Sequence, residues 1–103
     1  MPPGNIPREQ LIEKIIKITC EFYGVSAEDV RSKKRNEDIV NARQACIFII
    51  RKLTDMPYKA IGEIFNMTNH TSVGHALHKM EISIKTKKSV GAEINKIIAE
   101  VKS

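Results

Sequence analysis

Residues 58–85 read YKAIGEIFNMTNHTSVGHALHKMEISIK, and this stretch decides the fold. Two helical patterns stand on either side of a short polar break. Tyr58 to Phe65 sets Ile61, Ile64 and Phe65 on one side of a short helix, while His70 to Lys85 repeats Val73, Ala76, Leu77, Met80 and Ile84 at three- and four-residue spacing. Asn66-Met67-Thr68 makes a tight connection between them. A short helix, a tight turn and a longer helix form a helix-turn-helix candidate. The second helix of such a unit places its first residues against base edges in the major groove of DNA. Here those residues are Asn69, His70, Thr71 and Ser72, all hydrogen-bonding groups. The partial positive charge of a helix N-terminus also favours phosphate. The same residues could simply cap an ordinary antiparallel helix pair, so the pattern alone leaves both readings open.

Working outward, the chain stays helical. Pro7 suits a first helical turn, and Leu11, Ile12, Ile15, Ile16, Thr19, Phe22 and Tyr23 then recur on one face until Gly24, a residue common just past a helix end. Ser26 followed by Ala27-Glu28-Asp29 predicts a capped second helix from Ala27 to Ser32. Asn36-Glu37-Asp38 precedes a third, from Ile39 to Leu53, burying Ala42, Cys46, Ile49, Ile50 and Leu53. Pro57 again suits a helix start. After the basic, non-periodic Lys85-Thr86-Lys87-Lys88, a last helix faces Val90, Ile94, Ile97, Ile98 and Val101 inward. The expectation is an all-α domain of five or six helices over residues 7–103, with residues 1–6 a disordered or linker N-terminus.

Charge is placed unevenly. Residues 1–30 carry three basic and five acidic groups, residues 31–88 twelve basic and five acidic, and residues 89–103 balance. A polyanion is attracted to the middle of the chain. The run Arg31-Ser32-Lys33-Lys34-Arg35 offers Lys33 and Lys34 to phosphates and an arginine to a minor groove. Arg43 and Gln44, in the first turns of the third helix, can donate to a phosphate. A solvated basic loop explains the first of these two features singly and a surface ion pair with Glu37 or Asp38 the second; together with the helix-turn-helix candidate, three features within one stretch point to nucleic acid.

Other classes fit less well. No apolar run approaches the roughly 20 residues that cross a bilayer. The N-terminus lacks a signal-peptide pattern, and Cys20 and Cys46 sit inside apolar helical patterns as free thiols do; the chain reads as cytoplasmic and reduced. His70, His75 and His78 lack a nearby cysteine or carboxylate to complete a metal set, with His75 packing or hydrogen-bonding beside the recognition helix and His78 on the surface. No Gly-x-x-x-x-Gly-Lys-(Ser/Thr) loop is present for ATP. The expectation is therefore no metal, no cofactor, no small-molecule substrate, no membrane partner and no catalysis. The rival reading is a helical protein-interaction module.

Arg43-Gln44, Leu53-Thr54-Asp55, Ile61-Gly62, Phe65 and His70-Thr71-Ser72-Val73 with His75-Ala76 and Lys79 resemble the C-terminal DNA-binding domain of the bacterial replication initiator DnaA. The resemblance runs from about residue 7 to residue 102. It implies an all-helical fold of the DnaA C-terminal, Trp-repressor-like kind, binding short asymmetric duplex sites called DnaA boxes at origins or promoters in replication initiation or its regulation. It implies base contacts for Asn69, His70, Thr71 and Ser72, a minor-groove role for Arg35, and phosphate roles for Arg43, Gln44 and Lys79. An asymmetric site also implies a monomer, either a domain of a larger ATP-binding initiator or a free-standing regulator that competes for boxes.

The departures from the family pattern are local. Asn69 stands where an aspartate is usual; an amide suits adenine where a carboxylate accepts from cytosine, and it is also a good N-cap. Asn66-Met67 replaces a Gly-Gly turn, Thr68 a basic residue, Pro57 a serine-like cap, and Gly74 a larger apolar residue.

Overall fold

The computed structural model describes residues 7–67, 69 and 71–103. They form six helices: α1 (Arg8–Tyr23), α2 (Ala27–Val30), α3 (Glu37–Leu53), α4 (Tyr58–Ile64), α5 (Thr71–Thr86) and α6 (Lys88–Lys102), with no strand among the described residues. Residues 1–6, expected as a linker, lie outside the described residues.

Local chemistry sets the ends of these helices. Pro7 precedes α1 in an extended conformation, and Gly24 closes it in the left-handed region at φ 72°. The Val25 amide then donates to the Cys20 carbonyl at 3.0 Å, satisfying an end-of-helix acceptor. Ser26 caps α2 by accepting from the Asp29 amide at 3.0 Å. That helix ends at Val30, two residues short of the expected Ser32, because Ser32 turns its hydroxyl back to donate to the Asp29 carbonyl at 2.6 Å. Helix α3 starts at Glu37, two residues before the expected Ile39, with Glu37 and Asp38 both in its first turn, where carboxylates complement the helix dipole. The expected basic linker shrinks to one residue: α5 runs to Thr86, and only Lys87 separates it from α6.

The core is rich in isoleucine. Ile15, Ile16, Ile47, Ile49, Ile50, Ile61 and Ile97 are almost fully enclosed, together with Phe65, Val30 and Val73. Helix α3 is the central post, with Ile39, Ala45 and Ile47 buried beyond the single face expected of it. Neighbours on several sides explain the difference, since α1, α2, α4, α5 and α6 all pack against it. Phe22, expected inward, is 41% exposed, whereas Thr19 one turn earlier on α1 is fully buried. Cys20 and Cys46 are free and buried, and the neighbouring Cys20 thiol together with burial holds the Cys46 thiol well above its ordinary pKa. No described helix is long and apolar enough to cross a membrane.

Candidate nucleic-acid interface

The turn between α4 and α5 is built from backbone chemistry. Asn66 adopts φ 57°, the only non-glycine residue described with positive φ. Its amide reaches the Glu63 carbonyl at 3.3 Å, and the Met67 amide reaches the Gly62 carbonyl at 2.8 Å. This pair of bonds is the Schellman closure, with asparagine in the position that glycine usually holds. The turn then delivers Asn69, whose Oδ1 accepts from the Thr71 amide at 2.9 Å and whose carbonyl accepts from the Ser72 amide at 3.0 Å. Asn69 thus caps α5, and Asn69, Thr71 and Ser72 are exposed at its start. Thr68 and His70 lie outside the described residues.

The basic loop after α2 is held from two sides. Arg43, on α3, is buried to 9% exposure. Its Nε donates to the Val30 carbonyl at 2.8 Å, and its Nη2 donates to the carbonyls of Ser32 at 2.8 Å and Lys34 at 2.9 Å. Burial first, and the positive charge of Arg35 second, lower the Arg43 pKa from its ordinary value, but an arginine starts high enough to stay protonated. Asn66 completes the hold, donating from Nδ2 to the Arg31 carbonyl at 2.6 Å. Arg31 itself pairs with Glu13 of α1.

These ties engage two residues that the sequence offers to phosphates. Arg43 was expected to reach a phosphate, but its guanidinium turns inward and organises the loop, because the carbonyls of Val30, Ser32 and Lys34, at and beyond the end of α2, need donors. Lys34 was also expected on a phosphate; its Nζ is paired with Asp29 Oδ1 at 2.9 Å. That contact lowers the Asp29 pKa and raises that of Lys34. Lys33 and Arg35 make no ion pair with any described residue.

Two adjoining grooves collect most of the remaining candidates. One is lined by Lys33 and Arg35 of the loop, Asn66 and Met67 of the turn, and Asn69 and Ser72 at the α5 start. The other is lined by Gln44 of α3 with Ser72, His75 and Lys79 of α5. Val40, Arg43, Met67 and Ser72 border both. Residues 40 apart in sequence thus present one continuous basic and amide-rich surface. Thr71 is exposed but lines neither groove.

His75 is the residue that sequence reasoning misplaced. Expected to pack or hydrogen-bond beside the recognition helix, it is exposed and lines the groove beside Lys79. The signal was available, since Ser72, His75 and Lys79 follow the helical spacing of one face. Asn66 was read only as a turn former, and nothing in the local sequence announces its partner 35 residues upstream. On the other side of α5, Arg51 lies over the Tyr58 ring at 5.1 Å and its Nη1 donates to the Met56 carbonyl at 2.6 Å, bracing the α3–α4 corner. No group of three or more potential metal ligands occurs among the described residues.

The family model of the bacterial dnaA protein helix-turn-helix matches residues 12–80. The chain belongs to this family. Its relatives include the chromosomal replication initiator protein DnaA of Caldanaerobacter subterraneus subsp. tengcongensis, 35% identical over 99 residues, which make up 96% of this chain and 22% of that protein. The DnaA of Gloeobacter violaceus is 42% identical over 83 residues, 81% of this chain and 19% of that protein. A crystal structure of a DNA replication initiation factor superposes with a TM-score of 0.75 at 28% identity, over 91% of this chain and 30% of that one. The chain therefore spans about a fifth of the length of these curated DnaA relatives. The all-α helix-turn-helix architecture read from residues 58–85 is the DnaA one, and the matched segment takes in the basic loop, Arg43, Gln44 and the α5 start together.

Proposed function

We propose that this DnaA-type domain binds double-stranded DNA sequence-specifically, as a monomer on a DnaA-box-like site, and serves replication initiation or its regulation at the nucleoid. The observation that carries the reading is the first groove, where Lys33 and Arg35 meet Asn69 and Ser72 across one concavity. A helix N-terminus with exposed amide and hydroxyl groups suits base edges and phosphates in a major groove. An unpaired arginine beside it suits the negative potential of a narrow minor groove.

In this reading Asn69, His70, Thr71 and Ser72 read bases. Arg35 enters the minor groove, and Lys33, Gln44, His75 and Lys79 hold phosphates. Arg43 acts from behind the loop, and Lys34 exchanges Asp29 for a phosphate on binding, a small cost for an exposed pair. The action is binding alone, with no bond made or broken and no cofactor.

Selection from a pool of randomised duplexes tests this directly. Enrichment of an asymmetric DnaA-box-like site supports it, and a pool that stays random through successive rounds contradicts it.

A further inference from the structure

Most residues in the left-handed position at the end of a helix are glycines, because glycine reaches that conformation without strain. Asn66 occupies it here at φ 57°, and its side chain does something glycine cannot. Its Nδ2 donates to the Arg31 carbonyl at 2.6 Å, joining the turn of the helix-turn-helix to the basic loop.

We infer that Asn66 is a positioning residue that couples the two DNA-reading elements, fixing the minor-groove arginine relative to the recognition helix; this rests on the proposed duplex-binding function. The geometry favours such a role over simple turn stabilisation. The turn already closes through its own backbone, by the Met67 and Asn66 amides, so the side-chain bond adds nothing to it. What the side-chain bond adds is a link to the segment that carries Lys33 and Arg35. Arg43 ties the carbonyls of Val30, Ser32 and Lys34 to α3, and Asn66 takes the carbonyl of Arg31 between them. The loop is thus held by α3 on one side and by the α4–α5 turn on the other. Asn69 lies three residues beyond Asn66, and Arg35 four beyond Arg31. A single hydrogen bond sits at the root of both readers.

A loop held in its bound geometry loses less conformational freedom on binding, so the link strengthens the contribution of Arg35 without touching DNA itself. Replacing Asn66 should therefore reduce the value of Arg35 and leave the recognition helix intact.

Asn66→Gly is the informative variant, since it deletes the donor while keeping the residue best suited to the backbone. Asn66→Asp is its companion: it keeps the shape and the left-handed tolerance but faces the Arg31 carbonyl with an acceptor. Two measurements are made on the whole chain. Amide hydrogen exchange on the free protein should show faster exchange at Ser32 and Lys34, whose amides donate to the Asp29 carbonyl and the Ser32 hydroxyl, in both variants, with the amides of α5 unchanged. Binding to a duplex carrying a selected site should weaken about fivefold, the value of one net hydrogen bond. In the Asn66→Gly background the further loss from Arg35→Ala should be smaller than in the wild type.

Unchanged exchange in the loop overturns the link, as do losses from Asn66→Gly and Arg35→Ala that simply multiply. A wild-type chain that binds every duplex equally contradicts the proposed function and this inference with it, a result read from the wild type before any variant is made.

Discussion

The guanidinium of Arg43 donates through Nε to the carbonyl of Val30 at 2.8 Å, and the same side chain holds the carbonyls of Ser32 and Lys34. A helix-borne cation thereby replaces the secondary structure that residues 31–36 lack. Arg43→Met keeps the bulk of the side chain and removes every donor. It should destabilise the fold by about 2–4 kcal/mol, because one buried and two part-buried carbonyls lose a charged donor at once. Urea unfolding of the two proteins measures this; a change within about 0.5 kcal/mol, the scale of an ordinary surface substitution, would show that the clamp is dispensable.

Gly74 stands inside α5, where a larger residue is usual in the resemblance drawn from the sequence. A Cβ built there meets only the Tyr58 ring, at 3.5 Å, an ordinary contact distance. Space does not demand glycine, so its backbone freedom is a pure loss. Gly74→Ala should stabilise the domain by about 1 kcal/mol. A lower thermal midpoint in the alanine variant would mean that Tyr58 cannot accommodate the methyl group.

Asn69 fills the first of the two roles that the sequence left as alternatives, the helix cap, and its geometry leaves the second open to test. Its Oδ1 caps α5 through the Thr71 amide at 2.9 Å, and its Nδ2 makes no hydrogen bond with a described residue. Asn69→Ala should cost about 1 kcal/mol of stability through the lost cap. Asn69→Asp keeps the cap and removes the donor, so stability should hold while base preference changes at the pair beneath it. Site selection with both proteins checks this, and identical selected sites would reduce Asn69 to a cap.

The Asp29–Lys34 pair adds a pH dependence. Contact with Lys34 holds the Asp29 carboxyl below its ordinary pKa. The stabilisation is therefore present above the unfolded aspartate value of about 3.9 and is lost as pH falls through the depressed folded value. Asp29→Asn should lower the neutral part of the stability curve slightly, because the pair is exposed, and leave its acid end unchanged, so that the acid limb flattens. Urea midpoints from neutral pH downward measure it, and superimposable acid limbs would rule the pair out as a contributor.

Much of this molecule was legible in its sequence. The apolar spacing of residues 58–85, the glycine at 24 and the serine at 26 each act locally, so the six helices and most of their ends follow from nearest-neighbour chemistry. Side-chain direction was harder. Phe22 and Thr19 lie on one helical stripe, yet only Thr19 is enclosed, because spacing gives the face of a helix and not how far its neighbours cover it. The basic residues were read as a charge run, but charge alone does not say which member turns inward. Arg43 does so because unpaired carbonyls lie 9 to 13 residues before it in the chain, and Lys34 is occupied because α2 stops early enough to leave Asp29 beside it. His75 was misplaced by treating it alone rather than as part of the Ser72–His75–Lys79 face.

The central claim is that the grooves around Lys33, Arg35, Asn69, Ser72, Gln44 and Lys79 read duplex DNA. Fluorescence anisotropy with a DnaA-box duplex, a scrambled duplex and a box altered beneath Asn69, across a salt series, tests it most directly. The account predicts preference for a box over the scramble, with affinity falling as salt rises at a log–log slope of about −4, as for about five phosphates. Equal, weak binding to all three duplexes would contradict it and leave a DnaA-type fold without its reading function.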